Sequence, residues 1–98
     1  MRSSQGRRFR ALIEDLSRDL GGFDQLSAPD RSLVRHSACL LIEAEAIQGR
    51  IIRGEPSLDP DEIIRVSSET RRCLQGIKRR ERVKDQSLQD YFARRRAL

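Results

Sequence analysis

Apolar side chains recur every three or four residues along three stretches of the chain, which is typical of helices with one apolar face. The longest stretch covers residues 27–53. Ser27 provides an N-cap hydroxyl, Pro29 fits the first turn, and Gly54 followed by Pro56 marks the end. Its apolar row is Leu33, Ser37, Leu40, Ala44, Ile47 and Ile51, flanked by Val34, Ala38, Leu41 and Ile52. We predict a helix roughly 40 Å long, which the rest of a short chain can cover only in part.

Two more helices are predicted from the same spacing. The first covers residues 7–20 and ends at Gly21 and Gly22. The other begins at Asp59 as the cap and Pro60 as the first helical residue. Its apolar row is Ile63, Ser67, Thr70, Leu74 and Ile77. Because this row matches that of residues 27–53 and the connector is short, we predict an antiparallel helical hairpin.

The end of the third helix has two interpretations. Gly76 followed by Ile77 is typical of a left-handed cap, which would send residues 78–84 away as a basic arm. Alternatively the helix continues to Arg82 and accepts a cost of about 1 kcal/mol for an internal glycine. We favour the end at Gly76.

Residues 87–93, SLQDYFA, have their own Ser-x-x-Asp cap pattern and a short apolar face. That face consists of Leu88, Tyr91 and Phe92. A short amphipathic helix at a chain end is often a docking element for a partner protein. It can equally pack on the hairpin of its own chain, and the sequence does not decide between the two.

We therefore predict an all-α, oligomeric protein with a short N-terminal helix, a long antiparallel helical hairpin and a short C-terminal helical segment. Residues 1–26 form a basic arm and short helix, residues 27–77 the hairpin and oligomerisation core, and residues 78–98 a basic arm and docking segment. Self-association is expected because 98 residues, 36% of them charged, provide a small core. The predicted oligomer interface is Leu33, Leu40, Leu41, Ala44, Ile47 and Ile51.

The net charge of +5 is unevenly distributed. Residues 71–98 carry ten Lys or Arg against three acids, whereas residues 55–70 carry five acids against one Arg. Basic ends favour an anionic partner such as nucleic acid, although they can also be merely solvated. Since no aromatic residues are interleaved, we predict phosphate contacts that tolerate any sequence. The candidate contacts are Arg7, Arg8, Arg10, Arg71, Arg72, Lys78, Arg79, Arg80, Arg82 and Lys84, with Arg2 nearby.

Signals for catalysis are weak. His36 is the single histidine, and it lacks the orienting partners that a nucleophile–base pair with Cys39 needs. Cys39 and Cys73 do not provide paired zinc ligands, and no glycine-rich loop cradles a phosphate. We predict no enzyme activity, no metal and no cofactor. We also predict a cytoplasmic location without membrane contact, with both cysteines as small buried residues of a reduced protein.

Residues 54–80, GEPSLDPDEIIRVSSETRRCLQGIKRR, together with the SLQDYFA segment, resemble small terminase subunits of tailed bacteriophages and gene transfer agents. The resemblance implies a non-enzymatic adaptor of a DNA-packaging motor. Such proteins form rings through a helical hairpin, bind double-stranded viral DNA and present a C-terminal segment to a large ATPase/nuclease subunit. It implies that Leu88, Tyr91 and Phe92 contact that subunit. Residues 1–26 are too short for the separate DNA-binding domain of many family members, so weak, sequence-tolerant binding is expected.

Two other functions fit the same residues. One is a small basic helical transcriptional regulator that binds DNA as a dimer. The other is a structural interaction module that has no nucleic-acid partner. The number of copies in the assembly separates the first from a packaging adaptor, and binding of duplex DNA at low salt separates both from the second.

Overall fold

A computed structural model describes residues 4–97, and all regular structure in this part of the chain is helical. Helix α1 covers Ser4–Arg18, a 3₁₀ turn covers Phe23–Gln25, helix α2 covers Ala28–Ile52 and helix α3 covers Pro60–Ala97. The all-α prediction is confirmed for these residues.

The predicted helix caps are present at both long helices. The Ser27 hydroxyl accepts a hydrogen bond from the Asp30 N–H at 3.3 Å, and Asp59 Oδ1 accepts one from the Asp61 N–H at 3.0 Å. Each bond satisfies one of the backbone donors that the first turn of a helix leaves without a helical partner. At the other end of α2, Gly54 adopts the left-handed conformation with a φ of 71°.

The C-terminus of α2 forms a Schellman motif. The Glu55 N–H donates to the Arg50 carbonyl at 3.1 Å and the Gly54 N–H to the Ile51 carbonyl at 3.0 Å. A hydrophobic contact often accompanies this motif, but here Arg50 Nε and Glu55 Oε2 form an ion pair at 3.0 Å. The hydrogen bonds from Arg50 and Arg53 hold the pKa of Glu55 below its ordinary value. The turn between α2 and α3 is therefore stabilised by ion pairs and not by an apolar contact.

A small core joins all four helical segments. Leu20, Leu26, Val34 and Ile77 form one buried cluster, and Val34 is fully buried. The partly buried side chains of Ile13, Leu16, Phe23 and Leu33 pack around it. Two serines are also buried, and each hydroxyl donates to a carbonyl one turn back in its own helix: Ser17 to Ile13 and Ser37 to Leu33.

Two ion pairs connect α2 with α3. Asp30 Oδ1, in the first turn of α2, accepts from Arg80 Nε at 2.6 Å. Glu43, near the middle of α2, lies 3.9 Å from Arg65 in the second turn of α3. The beginning of α2 therefore lies beside the middle of α3, and the middle of α2 lies beside the beginning of α3.

The predicted end of the third helix at Gly76 is wrong, because α3 continues through Gly76 to Ala97. Residues 78–84 are therefore not an arm, and residues 87–93 are not a separate short helix. Gly76 is buried, and a Cβ at this position would lie 3.6 Å from Leu33 Cδ2. The helix continues because the next residue, Ile77, is buried in the core, which offsets the helical cost of glycine.

This arrangement predicts that Gly76→Ala raises the free energy of unfolding by about 0.5–1 kcal/mol, because alanine favours a helix and its Cβ meets only ordinary contacts. Urea unfolding followed by circular dichroism measures the change. The matched control is Gly54→Ala, which should lower stability by about 1 kcal/mol because of the left-handed backbone there. Destabilisation by Gly76→Ala would contradict a continuous α3.

The buried face of α3 is rotated from the predicted row. Val66 and Ile77 are buried, whereas Ser67 is exposed and Ile64 is 63% exposed. On α2, Val34 and Ala38 are the most buried residues, although the spacing had assigned them to the flanks. The core of the chain lies on these flanks because α1 and the 3₁₀ turn pack there, beside the α2–α3 contact.

The cysteine prediction is wrong for one residue. Cys39 is exposed on α2, and Cys73 is half-buried on α3; both are free thiols. His36 is exposed as well. Cys39 lies outside the buried set because the buried face of α2 follows Val34, Ala38 and Ile47.

Candidate nucleic-acid interface

One exposed side of α3, beside the groove that this helix forms with α2, carries a row of cations. Arg71, Gln75, Lys78 and Arg82 follow one another at spacings of four, three and four residues, so they lie along one side of the helix. Arg72 and Arg79, which are seven residues apart, flank this row and are also exposed. We call the five cations Arg71, Arg72, Lys78, Arg79 and Arg82 the α3 row.

The α3 row is electrically uncompensated. Among the described residues, no ion pair involves any of its five cations, and the one acid between residues 71 and 82 is the half-buried Glu81. From Arg71 to Arg82 the row extends about 16 Å along the helix axis. Because duplex DNA rises about 3.4 Å per base pair, this length matches roughly five base pairs of phosphate backbone.

Two of the predicted contacts are directed elsewhere. Arg80 is half-buried; its Nε donates to Asp30 and its Nη1 donates to the Gly76 carbonyl at 3.1 Å. Lys84 lies against the turn after α1, where a Cβ built on Gly21 would be 2.6 Å from Lys84 Nζ. These two residues connect α3 to the rest of the chain and do not belong to the α3 row.

The basic residues of α1 lie on a different helix from the α3 row. Arg8 forms an ion pair with Glu45 of α2, with a distance of 2.6 Å between Nη2 and Oε1. Hydrogen bonding to Arg8 lowers the pKa of Glu45. Arg7 and Arg10 are exposed on the same helix, and Arg2 lies outside the described residues. Seven of the ten predicted contacts therefore lie on α3, and five of them share its exposed face.

The predicted oligomer interface is divided between interior and surface. Leu40 and Ile47 are 3% and 7% exposed within the single chain, so a second copy has little access to them. Leu33, Leu41 and Ala44 are partly buried, and Ile51 is exposed. Leu41 and Ala44 line a shallow groove of about 500 Å³ between α2 and α3, together with Thr70 and Leu74. Arg71 and Lys78 of the α3 row line the same groove.

The last part of α3 is exposed to solvent, although Lys84 near its start lies against the turn after α1. Every described residue from 82 onward is exposed, including Leu88, Tyr91 and Phe92. The Tyr91 and Phe92 rings make an edge-to-face contact with centroids 5.6 Å apart, and Arg95 Nη1 donates to the Tyr91 hydroxyl at 3.0 Å. Of the two interpretations of this segment, packing on its own hairpin is therefore wrong.

The sequence interpretation missed several exposed apolar residues, chiefly Ile64 and Val83. Neither residue belongs to the apolar row predicted for the third helix, and Val83 lies inside the basic run of residues 78–84. The position of Val83 relative to Leu88, Tyr91 and Phe92 follows once α3 is known to be continuous. A helical-wheel projection that continues through Gly76 would have placed Val83 on the same helix as these three residues.

Chemistry beyond charge is sparse on the described surface. Within residues 4–97, no group of three or more His, Cys, Asp or Glu side chains is arranged to hold a metal ion. Each helix in that range is too short or too polar to cross a lipid bilayer.

No protein-family model, curated protein sequence or solved structure matches this chain.

Proposed function

We propose that this protein is a non-enzymatic, homo-oligomeric adaptor that binds double-stranded DNA and delivers it to a protein partner, in the manner of a small terminase subunit. The observation that carries the proposal is the α3 row: five exposed cations on one helical face, none of them in an ion pair within residues 4–97. Such a surface suits a polyanion with regularly spaced charges.

Binding is through phosphates and does not read bases. The α3 row contains Arg and Lys without an interleaved aromatic ring, so stacking on unpaired bases has no support. Guanidinium and ammonium groups on a straight helix give affinity and orientation on a duplex without sequence choice. A packaging adaptor must hold DNA of any sequence, and this surface fits that need.

Self-association follows from the small core. In the proposed assembly, α2 and α3 form an antiparallel hairpin, and neighbouring copies cover the apolar part of its groove at Leu41, Ala44 and Leu74. Arg71 and Lys78, which also line the groove, stay open to DNA. Oligomerisation is a usual remedy when a chain of this size has little apolar interior. The resemblance to small terminases favours a ring.

The protein partner is proposed to be a large terminase-type ATPase, contacted through Leu88, Tyr91 and Phe92. These side chains follow the i, i+3, i+4 spacing of an amphipathic helix that lies in an apolar groove. Their exposure on an uncovered helix supports a docking role.

Titration of labelled duplex DNA over a range of salt concentrations tests the proposal. If all five cations of the α3 row contact phosphates, the plot of log affinity against log salt should have a slope of about −4.5. Unrelated duplex sequences should bind equally well. No binding at low salt would contradict a nucleic-acid role and favour a structural module; a dimer with strong preference for one duplex would favour a transcriptional regulator.

A further inference from the structure

The exposed large apolar side chains fall into two groups at different places on the molecule. One group surrounds the α2–α3 connection, which we call the turn end, residues 51–64. The other lies on the exposed last part of α3, which we call the tail, residues 83–97. The exposed fractions are 49% for Ile51, 85% for Ile52 and 63% for Ile64, then 67% for Val83, 47% for Leu88, 47% for Tyr91 and 56% for Phe92.

The two groups carry opposite charge. The turn end has one Arg against four acids, of which Glu55 is paired with Arg50 and Arg53. The tail has four Lys or Arg against two acids. Among the described residues, Asp61 and Glu62 have no ion pair, and neither do Arg94 and Arg96. Each surface therefore combines exposed apolar area with unneutralised charge, and the signs are complementary.

The tail cannot reach the turn end of its own chain. Ile64 and Phe92 lie on the same unbroken helix, 28 residues apart, and this separation corresponds to about 42 Å. A straight helix holds its two ends apart at that distance. The complementary surface that either group requires is therefore available on a second copy of this chain.

We propose that the tail of one copy docks on the turn end of another copy. Leu88, Tyr91 and Phe92 cover the exposed isoleucines, while Arg94 and Arg96 face Asp61 and Glu62. The contact uses different surfaces on the two copies, so it is heterologous, and it forms a ring when the rotation from one copy to the next closes. This proposal rests on the self-association proposed above and identifies the two surfaces that meet. Because the tail is also the proposed site for the ATPase, the sister copy and the ATPase would compete for it.

Variants that reverse the charge of the tail or of the turn end test this contact. The mass of the native assembly is the quantity measured. The tail variant is Arg94→Glu with Arg96→Glu, and the turn variant is Asp61→Lys with Glu62→Lys. Each variant alone should fall to the mass of one chain, 11.3 kDa, because like charges meet at every contact. An equimolar mixture of the two should assemble again, as should a single chain that carries all four changes. Arg10→Glu with Arg18→Glu is the matched control and should leave the mass of the assembly unchanged.

Circular dichroism of each variant establishes that loss of assembly is not loss of helix. The inference is overturned if both charge variants keep the wild-type mass, or if neither the mixture nor the four-fold variant restores assembly. A wild-type chain that stays at 11.3 kDa at high concentration also overturns it. Duplex binding by the α3 row is measured separately, so its failure would count against the DNA proposal and leave the contact between copies standing.

Discussion

Replacing Ile77 with alanine should lower the free energy of unfolding by about 3 kcal/mol, a large part of the 5–15 kcal/mol typical of a folded domain. Ile77 is 3% exposed and packs in the cluster with Leu20, Leu26 and Val34, so it touches the region where all four helical segments meet. The small core has few other side chains that can move into the space. Urea unfolding measured by circular dichroism gives the loss directly.

Leu88→Ala is the control for Ile77→Ala on the same helix. Its side chain is 47% exposed and lies beyond the part of α3 that the other helices cover, so stability of the isolated chain should change by no more than about 0.5 kcal/mol. Equal losses in the two variants would contradict the division of α3 into a packed part and an uncovered tail.

Neutralising the α3 row should produce the largest change in DNA binding. The variant Arg71→Gln, Lys78→Gln and Arg82→Gln removes three phosphate contacts, so the salt slope should become shallower by about 2.7. Affinity at low salt should fall at the same time for every duplex sequence, because the lost contacts do not read bases. Fluorescence anisotropy with labelled duplexes at several salt concentrations measures both effects.

The control for that variant removes equal charge elsewhere. Arg18, Arg53 and Arg65 are exposed, and each is already paired with a nearby acid of its own chain. Because Arg65 also lies 3.9 Å from Glu43 of α2, circular dichroism must show that this variant stays folded. Changing these three to Gln should leave the salt slope nearly unchanged. If both triple variants weaken binding equally, net charge and not the α3 row determines the affinity.

Arg80 stays unchanged in this experiment, although the basic run of residues 78–84 invites its inclusion. Its guanidinium is 2.6 Å from Asp30 and fastens α3 to the start of α2. Removing it would loosen that contact and would confuse a change in folding with a change in DNA contact.

Local signals in the sequence were enough to place the helix boundaries that depend on local chemistry. Ser27 and Asp59 cap their helices, and Gly54 adopts the left-handed conformation after α2. These features need only a few neighbouring residues, so they can be recognised without knowledge of the tertiary fold.

Gly76 shows where local signals fail. A glycine followed by an apolar residue is a common helix end, but here Gly76 lies against Leu33 and Ile77 completes the core. Contacts with residues more than forty positions away in the sequence determine the outcome. No local rule includes them, so tertiary packing prevailed over propensity.

The basic residues show the same limit of local signals, because grouping charge by position in the sequence ignores the direction of each side chain. In a helix each residue turns by about 100° from the previous one. Lys78 and Arg79 therefore face outward while Arg80 faces Asp30. The adjacent basic residues have different roles, and a row such as Arg71, Lys78 and Arg82 becomes evident only when the helix is continuous.

The uncovered end of α3 has an energetic consequence for whatever binds it. A single helix of this length without tertiary contacts is marginal in water, so its backbone order depends largely on its junction with the packed part of α3. A partner that binds Leu88 and Phe92 would have to supply the free energy that keeps the last turns of α3 helical. Part of the binding free energy is then spent on ordering the helix, so the complex with the partner dissociates readily.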